Sequence, residues 1–190
     1  AGGLFAEHVR AVTLCGGEAV EVPAASELDG LEGLILPGGE STVMGRLLVE
    51  WNLLESVRAL CSSGIPVLAT CAGLILAVQE ILDYPRQPRL GLLDASVRRN
   101  AFGRQVDSFS TELTLDPFPG LDSGDSLEAV FIRAPLIERI GPEVRCLARV
   151  QGKPVAVRQG NLLALSFHPE LTDDLRLHRW MVHEALRRSR

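Results

Sequence analysis

Residues 66–70, Pro-Val-Leu-Ala-Thr, run straight into Cys71-Ala72-Gly73-Leu74 and a further apolar stretch. An apolar run without alternation reads as a strand buried on both faces. A small residue and a glycine directly after it open a helix with no loop between, so the chain must make a sharp strand-to-helix turn. Such a turn lifts one side chain above the end of a sheet, and here that side chain is a thiol. At the first turn of a helix a thiolate is stabilised by unpaired N–H groups and by the helix dipole. Most free cysteines are inert, buried small hydrophobes. Cys15, Cys61 and Cys146 lack any such setting and read as structural; the position of Cys71 sets it apart.

The neighbouring segments extend the same pattern. Leu34-Ile35-Leu36 is a short buried-strand run broken by Pro37-Gly38-Gly39. Met44, Leu47, Leu48, Trp51, Leu54, Val57 and Leu60 then recur at spacings of three and four, which predicts one helix, with Ser41 or Thr42 as N-cap and Gly64 as stop. Phe5, Val9 and Val12 predict an earlier helix ended by Gly16-Gly17, and residues 72–80 a helix after the cysteine. Strand alternating with helix implies a parallel sheet covered on both faces. After a proline-containing loop at 83–89 the chain turns strand-rich: 97–99, 105–115, 129–133, 144–150, 154–158 and 162–167 read as strands, with a hairpin loop at Gln151-Gly152-Lys153. Thr172-Asp173-Asp174 caps a last helix reaching about Leu186. The fold class expected is α/β: a three-layer α/β/α sandwich around a mixed, mostly parallel sheet, its site at the strand carboxyl ends.

A chain of 190 residues with 46% hydrophobic content has material for one well-filled core, so a single domain over 1–190 is expected. The net charge of -5 is spread along the chain without a basic block, which disfavours nucleic acid as a partner. The longest apolar stretch, 71–78, falls well short of the roughly 20 residues a membrane helix needs. No Cys-x-x-Cys pair occurs, and His178 and His183 lie five apart, off a common helix face, so no metal is expected. A reducing cytoplasm suits a chain whose key cysteine would lose its chemistry in a disulfide.

A candidate partner for the thiol lies in Ser166-Phe167-His168-Pro169-Glu170. On a strand, residues two apart project to one side, so Glu170 is spaced to orient the imidazole of His168. Cysteine, histidine and carboxylate together are the set needed for thiol-dependent acyl transfer. Pro37-Gly38-Gly39-Glu40-Ser41 reads either as a plain strand–helix turn or as a loop whose N–H groups stabilise an oxyanion. It lacks the spacings of nucleotide-binding glycine loops.

Five motifs in order carry a family resemblance: Leu36-Pro37-Gly38-Gly39-Glu40-Ser41-Thr42, Thr70-Cys71-Ala72-Gly73-Leu74, Arg99-Asn100-Ala101-Phe102-Gly103-Arg104-Gln105-Val106-Asp107-Ser108-Phe109, Phe131-Ile132-Arg133-Ala134-Pro135 and Ser166-Phe167-His168-Pro169-Glu170-Leu171-Thr172. Together they resemble the glutaminase subunits of pyridoxal 5'-phosphate synthase, within the class I (triad) glutamine amidotransferases of flavodoxin-like fold. The resemblance implies hydrolysis of L-glutamine to glutamate and ammonia through a glutamyl thioester, without a cofactor. The ammonia would pass to a separate synthase subunit in a large hetero-oligomer for vitamin B6 biosynthesis. It implies Cys71 as nucleophile, His168 as acid/base and Glu170 as its orienter. Gly38, Gly39, Glu40, Arg99, Ile132 and Arg133 match positions around glutamine, and the N–H groups of Gly39 and Ala72 would hold the oxyanion. Two alternatives stand beside it. A related peptidase or γ-glutamyl hydrolase is opposed by the two arginine motifs, and a silent synthase-binding module by the intact Cys71, His168 and Glu170. In one respect the chain departs from the family: a first apolar strand ending in a Leu-Gln-Gly-like segment is expected, whereas this sequence opens Ala1-Gly2-Gly3-Leu4-Phe5, with Gly2 where glutamine would stand.

Overall fold

In a computed structural model the chain is described over residues 3–99, 108–121 and 124–189. Five strands form the central sheet in the order β1-β2-β10-β9-β8: β1 (Leu34–Leu36), β2 (Val67–Thr70), β10 (Leu162–Leu165), β9 (Lys153–Gln159) and β8 (Arg145–Val150). The first three run parallel, and β9 and β8 are antiparallel to their neighbours. Every residue of β2 and β10 is buried, as an unbroken apolar run requires. Alternate residues feed two separate cores. Val67, Ala69, Leu162 and Ala164 face one, and Leu68, Leu163 and Leu165 the other. Each fully buried leucine contributes roughly 1.5–3 kcal/mol of transfer free energy, so the site-bearing strands are held from both sides.

The first core is covered by α3 (Leu54–Ser62), α4 (Ala72–Ala77) and a small sheet of β3 (Val78–Ile81), β4 (Leu93–Arg98) and β7 (Leu136–Ile140). The second is covered by the hairpin of β5 (Ser108–Leu113) and β6 (Leu127–Ile132) and by α5 (Arg176–Arg188). The helix α1 (Gly3–Leu14) packs on α5, and α2 (Ser41–Glu50) on α4. The result is the expected layered α/β fold around a mixed sheet. Among the described residues, no helix is long and apolar enough to cross a membrane.

Several elements differ from the sequence expectations, each for a local reason. The single helix expected through Met44 and Leu60 is two, α2 and α3. Asn52 adopts a left-handed φ of 56°, its N–H donates to the Val49 carbonyl (3.1 Å) and the Leu53 N–H to that of Leu48 (2.8 Å). This is a helix stop of the Schellman type with asparagine in the place glycine usually takes. Leu53 still enters the core, so the apolar spacing reads through the break. The N-cap of α2 is Glu40, not Ser41 or Thr42: its carboxylate accepts from the N–H groups of Thr42 and Val43, both at 3.0 Å.

The helix expected over 72–80 stops at Ala77, where Val78 turns extended and starts β3. Leu90 and Leu92 donate their N–H groups to the carbonyls of Leu76 and Ala77 (2.7 and 2.8 Å), closing the helix end from a distant segment. The strand expected at 97–99 begins at Leu93, because Leu93 pairs with Val78 of β3 and Ala95 with Ile140 of β7, a strand the sequence reading missed. Of the strand expected at 105–115, the first three residues lie outside the described residues, and the strand ends at Leu113. The expected hairpin joins β8 and β9, with left-handed φ values at Gln151 and Gly152. The last helix starts at Arg176; Asp174, two residues earlier, accepts the Arg176 N–H at 3.0 Å.

One edge of the central sheet is open. Among the described residues β1 pairs only with β2. Along its free side lies an apolar cavity of about 350 Å³, walled by Val20, Val22, Leu34, Leu47 and Trp51.

Candidate active site

The parallel strands β2 and β10 end level with each other, with Thr70 opposite Leu165. Cys71 leaves β2 at φ 49° and ψ -104°, outside the regions a non-glycine residue ordinarily occupies. Such a conformation costs on the order of 1–3 kcal/mol and persists where its surroundings dictate it. Here the Cys71 N–H donates to the Leu165 carbonyl (2.8 Å), and the Cys71 carbonyl accepts from Ile75 (3.2 Å). Gly73 makes the turn possible: a Cβ there would sit 1.8 Å from the Leu36 carbonyl oxygen, so any larger residue would push α4 off β1. Ala72 opens α4, and the first N–H groups of a helix have no partner within it.

His168 reaches the same edge from β10. The strand expected to run to Phe167 ends at Leu165. Ser166 then donates its N–H to Val155, and His168 to Val130 of β6, both at 2.8 Å. Glu170 is not on a strand, as the spacing argument supposed, but in a 3₁₀ turn, Pro169–Leu171, which Pro169 starts. The turn folds its carboxylate back so that Oε1 lies 2.7 Å from His168 Nδ1. Both side chains are buried. The Cys71 side chain couples to the His168 ring, and its Sγ lies 3.7 Å from the Ile132 carbonyl oxygen at the end of β6.

Burial alone would lower the pKa of His168, but hydrogen bonds to Cys71 and Glu170, and their charges, outweigh it and push it up to about 9. Burial alone would raise that of Glu170, but hydrogen bonds from His168 and His8 hold it at about 2. The site therefore favours an imidazolium beside an ionised carboxylate. A thiolate next to that imidazolium can attack an acyl carbon, and the imidazolium can protonate a leaving amine. Burial works against the other thiols: it pushes Cys61 up to about 11 and also raises Cys15.

The glycine loop closes over the histidine. A Cβ on Gly38 would lie 2.6 Å from His168 Cε1, so that glycine backbone rests on the ring; Gly39 follows at φ 148°. Burial would raise the pKa of Glu40, but the Thr42 and Val43 N–H groups and Arg99 keep its carboxyl below the usual range. Arg99 donates to Glu40 Oε1 (3.1 Å), Thr42 Oγ1 (2.8 Å) and Gln87 Oε1 (2.9 Å), and lies 4.3 Å over the Tyr84 ring. Arg133, after Ile132, is exposed with a left-handed φ of 45°. Residues 100–107 of the first arginine motif lie outside the described residues, and Ser108 and Phe109 begin β5.

Sequence reasoning missed the groups behind Glu170. His8 Nε2 of α1 is 3.5 Å from Glu170 Oε1 and 3.3 Å from Thr70 Oγ1, and His8 Nδ1 is 2.9 Å from Nε2 of His178 on α5. The available signal was the placement of His8 on the apolar stripe of Phe5, Val9 and Val12. Burial first, and the nearby His8 second, lower the pKa of His178 to about 4.

These shifts give the folded chain a stability maximum near pH 6.5. The His168 contribution is complete below its ordinary value of 6.5 and is lost as pH rises through about 9. The His178 contribution is complete above 6.5 and is lost as pH falls through about 4. That of Glu170 is complete above 4.5 and is lost as pH falls through about 2. Unfolding free energies from urea titrations at constant ionic strength should fall on both sides of about pH 6.5, by on the order of a few kcal/mol in total. A free energy still climbing at about pH 9 would contradict the assignment.

Comparison with known proteins places the chain in a family. Residues 1–187 match the model of the SNO glutamine amidotransferase family. The chain is 57% identical over 177 residues to the pyridoxal 5'-phosphate synthase subunit PdxT of Parafrankia sp. (strain EAN1pec), covering 93% of this chain and 85% of that one. It is 52% identical over 180 residues to the PdxT subunit of Moorella thermoacetica, covering 95% and 93%. A crystal structure of a glutamine amidotransferase superposes with a TM-score of 0.89 at 48% identity, over 96% of this chain and 94% of that one. With its fold and nearly its whole length matched, the chain belongs to the SNO glutamine amidotransferase family.

Proposed function

We propose that this chain is the glutaminase of a pyridoxal 5'-phosphate synthase and hydrolyses L-glutamine through Cys71, His168 and Glu170. The observation that carries the reading is Cys71 at a strained strand end beside an imidazole whose Nδ1 lies 2.7 Å from a buried carboxylate. The Cys71 thiolate attacks the side-chain amide carbon, and the N–H groups of Gly39 and Ala72 stabilise the oxyanion. His168 gives its proton to the departing ammonia, leaving a glutamyl thioester on Cys71. His168 then takes a proton from water, the resulting hydroxide displaces the thiolate, and glutamate leaves. Glu170 holds the ring and balances its charge throughout. Gly38, Gly39, Glu40, Arg99, Ile132 and Arg133 form the glutamine pocket in this reading. In Arg99 the polar contacts to Glu40, Thr42 and Gln87 favour a role in shaping the loop as well as in contacting substrate.

The relatives' names identify them as subunits of a synthase. By the same reading, this chain supplies ammonia to a separate synthase subunit in the cytoplasm. Cys71→Ala should lower glutamine hydrolysis at least about a thousandfold while leaving synthase binding intact, measured by ammonia release and by co-sedimentation. Retained hydrolysis would remove the mechanism, and a wild-type chain that binds synthase but never hydrolyses glutamine would make it a silent binding module.

The same reading makes residues 1–190 a single amidotransferase domain.

A further inference from the structure

Behind the His168–Glu170 pair runs a second line of buried groups that glutamine hydrolysis does not consume. It connects four distant parts of the chain: Glu170 in its 3₁₀ turn, Thr70 at the end of β2, His8 on α1 and His178 on α5. His8 and Glu170 are each 3% exposed, and Thr70 and His178 not at all. The two added histidine rings are tilted by 50° with centroids 5.1 Å apart, so they meet through their nitrogens and do not stack.

Proton inventory gives this line a direction. An ionised Glu170 has only acceptors, so it favours an N–H on His168 Nδ1, 2.7 Å from Oε1, and on His8 Nε2, which lies 3.5 Å from Oε1 and 3.3 Å from Thr70 Oγ1. With its proton on Nε2, a neutral His8 carries a lone pair on Nδ1. That lone pair needs a donor, and His178 Nε2, 2.9 Å away, is the group in place. The remaining nitrogen of His178, Nδ1, is buried without a hydrogen-bond partner among the described residues. In this arrangement it is an unused acceptor, which buried sites tolerate better than a stranded N–H. The reverse arrangement, whether His8 carries one proton or two, would strand an N–H on the buried Nδ1 of a neutral His178.

We infer that His8 is a positioning residue for Glu170, and that His178 fixes the tautomer in which His8 does so. The inference rests on the triad reading proposed above. Glu170 is thereby held on two sides, by the ring it orients and by a ring it does not, and α1 and α5 are tied to the back of the cysteine turn through Thr70. The titratable groups facing His8 are Glu170 from the turn and His178 from α5. Its neighbours on α1, Glu7 and Arg10, point outward, with side chains 41% and 59% exposed, and pair with each other.

The test compares the full chain with its synthase partner in four variants, following kcat, KM, the pH profile and the melting temperature. His8→Phe keeps the ring and removes both nitrogens. It should lower kcat about tenfold with KM little changed, and move the alkaline limb of kcat/KM down by about one pH unit as His168 loses a well-placed counter-charge. His8→Gln, which restores an N–H donor, should recover most of the loss. His178→Phe should shift both quantities the same way by less, and this variant carries the test should His8→Phe fail to fold. A lower melting temperature with unchanged kcat and pH profile would overturn the inference, as would His8→Gln being no better than His8→Phe. Cys71→Ala separates the two levels: activity retained there sinks the triad reading itself. Activity lost there, with His8→Phe and His178→Phe catalytically normal, sinks this inference alone.

Discussion

The pairing of β2 with β10 is the constraint on which the site depends. Parallel strands deliver their carboxyl ends to the same edge of a sheet, and the register of this pair puts Thr70 opposite Leu165. Whatever follows the two strands must emerge side by side. The residue after Thr70 is the cysteine, still bonded to the Leu165 carbonyl, and three residues beyond Leu165 comes the histidine. About a hundred residues of sequence separation are thus cancelled by one ladder of backbone hydrogen bonds, buried from both faces by two cores.

That rigidity explains how the turn at Cys71 is sustained. A residue held at positive φ, a helix seated on β1 through a glycine, and a buried ion pair all cost free energy locally. The leucines and valines of β2 and β10 offset it, because the strands cannot relax without exposing them. The end of β6 completes the arrangement: its Val130 carbonyl fixes the His168 backbone and its Ile132 carbonyl lies near the Cys71 sulfur. The hairpin of β5 and β6 therefore helps to set where Cys71 and His168 lie, alongside the central sheet.

The central strands were legible in the sequence because an unbroken apolar run has few other uses. The cysteine turn was legible because Ala72 and Gly73 leave no alternative path. The break at Asn52 was hidden, since Leu53 and Leu54 keep the apolar rhythm through a stop that asparagine makes. The early end of α4 was hidden because the groups that cap it, Leu90 and Leu92, lie more than a helix length away in sequence. His168 and Glu170 were paired correctly for an inexact reason: proximity in sequence brings them together, but a 3₁₀ turn, not strand alternation, aims the carboxylate. His8 and His178 stand 170 residues apart, and nothing local links them. Contacts of that kind come from tertiary packing alone.

The central claim is that one cysteine among four is a nucleophile because of where the fold puts it. Treating the chain with a chloromethyl ketone analogue of glutamine and mapping the adduct by mass spectrometry tests it most directly. The account predicts one equivalent of label, on Cys71, prevented by excess glutamine, with Cys15, Cys61 and Cys146 unmodified. Label on another cysteine, or label on Cys71 that glutamine does not prevent, would contradict it.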